Sequence, residues 1–224
     1  MKIGIVIPGY NIGGQLRSVL SKCLHHVSRK HIYVVDDGST DRTVEIAKEE
    51  KVVVHRHSSN LGKGAALKSG FQLALSDGLE GVVTIDGDGQ HDPDFIPSFL
   101  SVMQETGCDF VMGVRPFRIC EISTDRILSN RLSSLIVSLI VGRPIYDSQC
   151  GFRLIQRKVI EDITLDTNHF ETETELLVKA MRHGFRVGFC PISVVHTAYK
   201  SRIRRLPDTI RFCRLILKLL TERG

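Results

Sequence analysis

Short apolar runs and amphipathic stretches alternate along the first half of the chain. Residues 2–7, 31–35, 52–55 and 82–85 are mostly apolar, too short for helices, and end at Pro, Asp or similar breakers, which predicts buried strands. Between them, residues 15–27 carry Leu16, Val19, Leu20, Cys23 and Val27 on one helical face. A second helix, ending near residue 50, follows the capping candidates Ser39, Thr40 and Asp41, and the turn 60–64 opens a third that reaches Ser76. Strand–helix alternation repeated four times predicts an α/β domain, a mostly parallel sheet with helices on both faces. Ligands of such sheets bind at the carboxyl ends of the strands. Residues 8–11, the pair Asp36 and Asp37, Lys63, and residues 86–90 all fall at that edge.

The second half is less regular. Residues 110–113 read as a strand followed by Val114 and Arg115. Residues 125–131 lead into a helix with Leu132, Leu135, Ile136, Leu139 and Ile140 on one face and Ser133, Ser134 and Ser138 on the other. The general rule for amphipathic helices makes that apolar stripe core rather than membrane contact. Residues 208–220 form another amphipathic helix, with Arg211, Arg214 and Lys218 on one side. It suits both a helix packed on the domain with snorkelling arginines and an interfacial helix on anionic lipid.

The 224 residues suffice for one sizeable domain, expected to span 1–224. The six cysteines show no CxxC pair, which favours reduced thiols in a cytosolic setting over a disulfide framework or zinc site. Only five apolar-type residues separate Lys2 from Pro8, too few for a signal peptide, and no run approaches the ~20 apolar residues of a spanning helix. The expectation is a cytoplasmic protein, soluble or peripheral on a membrane. The net charge of +5 is uneven: residues 200–224 hold eight basic and two acidic side chains, so the tail is +6 and the remainder −1. A basic tail on a near-neutral body points to an anionic partner. Nucleic acid is disfavoured, because aromatics are only 6% and no stacking platform stands out.

The candidate chemistry centres on VVTIDGDGQHDPD (82–94). A strand stops at Asp86, and Asp88 follows on a glycine-flanked turn. Two such carboxylates repel unless a cation lies between them, and oxygen ligands suit Mg²⁺ or Mn²⁺ better than zinc. A calcium EF-hand is excluded, since its sixth and twelfth positions fall on His91 and Pro97. The Gly62-Lys63-Gly64 turn lacks both the earlier Gly and the following Ser or Thr of an NTPase phosphate loop. Glu171 and Glu173 read as first-turn glutamates favoured by a helix dipole, and His91 adjoins the metal turn.

The segments IVIPGYN, VVDDGSTD, NLGKGAALKSG and TIDGDGQHDPD, in that order and spacing, resemble the nucleotide-sugar half of glycosyltransferase family 2, which has the GT-A fold. The resemblance implies that Asp37 contacts the base or ribose, with Pro8, Tyr10 and Asn11 nearby and Lys63 as a further nucleotide contact. It also implies that Asp86, Asp88 and Gln90 hold the metal on the diphosphate. The resemblance also implies a nucleotide-sugar-binding half (1–113) and an acceptor-binding half (114–224), and beyond residue 113 the order of segments resembles the dolichol- and polyprenyl-phosphate sugar synthases of the family. There the implied lipid-phosphate ligands are Arg115, Arg126 and Ser129, with Asp147 beside the reacting centre and Glu175 on a supporting helix. The chain departs from the family at residues 189–192 and shortens the following turn, leaving Arg202 as the counterpart of a further phosphate-binding arginine. The implied activity is transfer from a nucleotide-sugar, of GDP-mannose or UDP-glucose type, to a polyprenyl phosphate. The alternatives are transfer to a sugar hydroxyl, with Asp147 as base, and a catalytically silent nucleotide-binding module.

Overall fold

The computed structural model describes residues 1–115, 124–193, 195 and 205–222, with backbone alone at 124–127 and 205. Among these residues seven strands form one sheet: β1 (Ile3–Gly9), β2 (Ile32–Asp36), β3 (Val53–Arg56), β4 (Gly81–Thr84), β5 (Phe110–Val114), β6 (Arg153–Gln156) and β7 (Val187–Pro191). The helices are α1 (Gly13–Cys23), α2 (Thr43–Glu49), α3 (Lys63–Ser76), α4 (Ile96–Thr106), α5 (Thr124–Val141), α6 (Arg157–Asp162), α7 (Thr172–Arg182) and α8 (Arg205–Thr221). The strand order is β3-β2-β1-β4-β6-β5-β7, and all neighbours are parallel except β6, which runs antiparallel to both β4 and β5. This is the predicted α/β class.

Each strand feeds two cores, because side chains alternate across the pleat. Ile3, Ile5 and Ile7 pack with Leu16, Leu20, Ile46 and Phe99 on one face, while Val6 packs with Leu67, Phe71, Leu177 and Leu215 on the other. Burial on both faces explains why the strands read as continuous apolar runs. Pro8 does not end β1 as the sequence predicts; the strand continues to Gly9, with Pro8 opposite Val35. The Val6 carbonyl accepts from Ile85 on the β4 side, so Pro8, two residues on, also faces that side, beyond the last β4 register pair at Thr84. Its missing N–H therefore costs no ladder bond.

Helix α5 departs from expectation. The leucine face points outward, with Leu128, Leu132, Leu135 and Leu139 between 55% and 76% exposed, and the serine face points inward. Ser133 and Ser134 are buried, and their hydroxyls serve the loop that precedes β6. Ser134 Oγ accepts from Ser148 N at 2.9 Å, Ser138 Oγ accepts from Ile145 N at 2.8 Å, and Gln149 Nε2 donates to Ser133 Oγ at 3.1 Å. A loop full of backbone donors needs acceptors more than it needs apolar surface. Helix α8 docks on the domain through Leu215 and Leu219, and leaves Leu206, Ile210, Leu217 and Leu220 exposed.

Candidate active site

The carboxyl ends of β1 and β2 are laced together by short polar side chains. Asn11 adopts a left-handed backbone (φ 52°), and its Oδ1 accepts from Thr40 N at 2.8 Å and Asp41 N at 3.2 Å. Asn11 N in turn donates to Ser39 Oγ at 2.8 Å. Asp41 terminates two helices at once, accepting from Gly13 N at the start of α1 and Thr43 N at the start of α2. Pro8 is buried beneath this edge and Tyr10 is half-buried on it. Asp37 is buried; Oδ1 accepts from Leu61 N at 2.9 Å and lies 2.7 Å from His57 Nδ1, and Oδ2 accepts from Gly62 N at 2.8 Å. A carboxylate has about four acceptor positions, so one remains on Oδ2.

The acidic turn lies beside this edge. Asp86 Oδ1 meets Lys63 Nζ at 2.6 Å, and the same ammonium meets Glu173 Oε2 at 2.8 Å. Burial works against the Lys63 charge, but Asp86 and Glu173 outweigh it and raise its pKa. Glu173 is thus a site residue that first-turn dipole reasoning misses, and it is buried, as is Glu171. Nothing local in the sequence pairs it with Lys63, since α7 reaches the site only through the tertiary fold. Glycine permits the contact: a β-carbon at Gly64 would overlap Thr172 on α7, and one at Gly151 would lie 2.5 Å from Asp86 Oδ2. His91 is buried, with Nδ1 3.9 Å from Asp86 Oδ2, and burial pushes it down to about 4, so it is neutral.

Asp88 is pushed up to about 6, first by burial and then by the adjacent Asp86 charge. Its Oδ1 accepts from Gln90 N at 2.9 Å, and the Gln90 carbonyl accepts from Val195 N at 2.9 Å. Among the described residues no group of three His, Cys, Asp or Glu side chains forms a metal cage. The two carboxylates and Gln90 fit a different mode, in which a hard divalent ion takes one or two protein carboxylates and completes its shell with water and substrate phosphates.

The second half of the chain reaches the same edge through β6. Because β6 is antiparallel, the loop before it starts at the edge where β1, β2 and β4 end. That loop carries Asp147, which is fully buried. Arg115 Nε donates to Asp147 Oδ2 at 2.7 Å, Arg115 Nη2 donates to Oδ1 at 2.9 Å, and Arg115 N donates to Oδ2 at 3.3 Å. Asn130 Nδ2, from α5, donates to Oδ1 at 2.7 Å. Arg153, also buried, braces the loop from below by donating to the carbonyls of Ser148 and Cys150 and to the Glu173 carbonyl on α7. Ser129 lies exposed on α5. Arg202 lies outside the described residues, as does the side chain of Arg126. Glu175 on α7 is buried, pairs with Lys179, and accepts from Asp166 N and Thr167 N.

The family model of glycosyl transferase family 2 matches residues 4–164. An uncharacterised protein of Methanocaldococcus jannaschii is 31% identical, covering 99% of this chain and 92% of its own length. The UDP-N-acetylglucosamine–dolichyl-phosphate N-acetylglucosaminyltransferase of Methanococcus voltae is 29% identical over 88% of this chain and 87% of its own. The polyprenol monophosphomannose synthase of Mycolicibacterium smegmatis is 29% identical over 84% and 76%. The crystal structure of glucosyl-3-phosphoglycerate synthase from Mycobacterium tuberculosis in complex with Mn²⁺, UDP and phosphoglyceric acid superposes with a TM-score of 0.74 at 18% identity, covering 98% of this chain and 77% of that one. Sheet order, motif positions and these matches agree: the chain belongs to glycosyl transferase family 2, has the GT-A fold, and is a glycosyltransferase.

Proposed function

We propose that this glycosyltransferase moves a sugar, with inversion, from a nucleotide-sugar to a polyprenyl phosphate, working as a peripheral protein on the cytoplasmic face of a membrane. Helix α5 carries the proposal. Its inner face holds Asp147 through Asn130, and its outer face shows solvent four leucines at positions 128, 132, 135 and 139. That spacing makes one continuous apolar stripe along the helix, suited to a prenyl chain or to the bilayer surface around it. The basic tail adds attraction to anionic lipid headgroups. The named relatives that act on dolichyl or polyprenyl phosphates support the same acceptor class.

The state of Asp147 favours phosphate over a hydroxyl. Its four acceptor positions are taken by Arg115 and Asn130, so it has none left to receive a substrate proton. A phosphate acceptor is already ionised near neutral pH, with a second pKa of roughly 6, and needs no base. In this reading Asp147 holds Arg115 in place, and Arg115, Arg126, Ser129 and Arg202 orient the phosphate for attack on the anomeric carbon. Asp37, Tyr10, Pro8 and Asn11 bind the nucleoside, with the remaining position on Asp37 Oδ2 accepting from ribose or base, and Lys63 serves the nucleotide's phosphates. Asp86, Asp88 and Gln90 would hold Mg²⁺ or Mn²⁺, which neutralises charge on the departing diphosphate. A screen of nucleotide-sugars with Mn²⁺ and a short polyprenyl phosphate tests the assignment. Transfer to the lipid phosphate is expected, and activity confined to soluble sugar acceptors would overturn it.

A further inference from the structure

The Lys63 ammonium is held by two carboxylates at once. It is wedged between Asp86 and Glu173, at 2.6 and 2.8 Å, with the Phe170 ring centroid 5.8 Å away. Asp86 is one of the two carboxylates that would bind the metal, so its Oδ1 is engaged by a cation already belonging to the chain. Glu173 is buried, and while Oε2 takes the ammonium, Oε1 is buried with no partner. A buried carboxylate oxygen left unpaired is costly, and one beside a movable three-donor ammonium marks a second seat for it.

We propose that Lys63 is a tethered counter-ion that stands in for the divalent cation at Asp86, and that metal entry displaces the ammonium onto Glu173, where Oε1 completes its pairing. The geometry accounts for each part. Without a cation, Asp86 and Asp88 would face each other across a single residue in a buried turn, and Lys63 offsets one of the charges. When a divalent ion arrives, the ammonium is repelled at short range, and Glu173 keeps it in the site rather than in solvent. The helix that carries Glu173 is fixed by Arg153, whose guanidinium donates to the Glu173 carbonyl. The tether is therefore rigid while the lysine stem is not. The inference rests on the metal assignment made above, not on the identity of donor or acceptor.

The test needs Mn²⁺ alone, without nucleotide, sugar or lipid, so its failure leaves the acceptor reading intact. In Lys63→Met the apolar stem is kept and the competitor removed. The metal-free variant should melt about 5 °C or more below the unaltered chain, bind Mn²⁺ about ten-fold or more tightly by calorimetry, and gain more in melting temperature from Mn²⁺. Lys63→Arg, which keeps the charge, should not tighten binding. A lysine with a purely structural role would lower the melting temperature equally with and without Mn²⁺ and leave the dissociation constant unmoved. That result, or an absence of tighter binding, overturns the proposal. The unaltered chain gives a second readout: in crystals soaked with Mn²⁺, Lys63 Nζ should have left Asp86 Oδ1 and lie within hydrogen-bond distance of both Glu173 oxygens. An ammonium still seated on Asp86 beside a bound Mn²⁺ refutes displacement outright.

Discussion

The residues with the clearest sequence signal are those whose partners are close in the chain. Asp86, Asp88 and Gln90 share one turn, and Asp41 accepts from Thr43 N two residues on. With Asp88 as the proposed metal ligand, Asp88→Asn removes a ligand charge from a half-buried turn, so Mn²⁺-dependent nucleotide binding should vanish from calorimetric titrations while the far-ultraviolet dichroism stays unchanged. Residues whose meaning depends on the tertiary fold were not legible. Glu173 looks like any first-turn glutamate until α7 brings it to Lys63. Asp147 and Arg115 were each legible as candidates, but their bidentate pairing was not. That pair supports a second expectation. Arg115→Ala leaves Asp147 buried without its cation, a loss of roughly 3–5 kcal/mol in urea denaturation. Adding Asp147→Asn should recover part of it, because the stranded charge is gone.

At the level of elements, the repeated strand–helix pattern revealed β1 to β5 and α1 to α3 to within a few residues, since buried parallel strands are continuous apolar runs. The period of α5 was legible and its direction was not. A hydrophobic stripe identifies a face, whereas the choice of which face turns inward was made by the loop 145–149, which needed the serine hydroxyls. Replacing Leu132 and Leu139 with Glu should therefore barely change the melting temperature, as for other exposed positions, yet sharply reduce flotation with anionic vesicles. Helix α7 carries a pH prediction. Burial pushes Glu175 toward neutrality, but Lys179, Thr167 and the amides of Asp166 and Thr167 outweigh it and hold its pKa below the ordinary value. A depressed carboxylate contributes stability that is present above its unfolded pKa of about 4.3 and is lost as pH falls through the folded one. Glu175→Gln should be less stable at pH 7 and show a shallower loss of stability below about pH 4 in acid-denaturation curves.

Among the described residues one sheet joins the stretches of chain before and after residue 113. Strand β6, from the second half of the chain, sits between β4 and β5, both from the first, and its antiparallel run was hidden in the sequence by a short segment that begins with a charged residue, Arg153. That arginine is buried because its guanidinium is paired with backbone carbonyls on both sides of the strand. The boundary near residue 113, where the proposed reading changes task, is thus not a seam in the sheet. A fragment ending there would lose the partner that joins β4 to β5, strip Asp86 of the Gly151 backbone against it, and leave Lys63 without Glu173. In the proposed reading one sheet therefore carries both the donor and the acceptor side, and neither half could be exchanged like a cassette. If α5 faces the acceptor as proposed, divergence toward a new acceptor has to proceed by changing loops and the outer face of α5, around a strand that stays where it is.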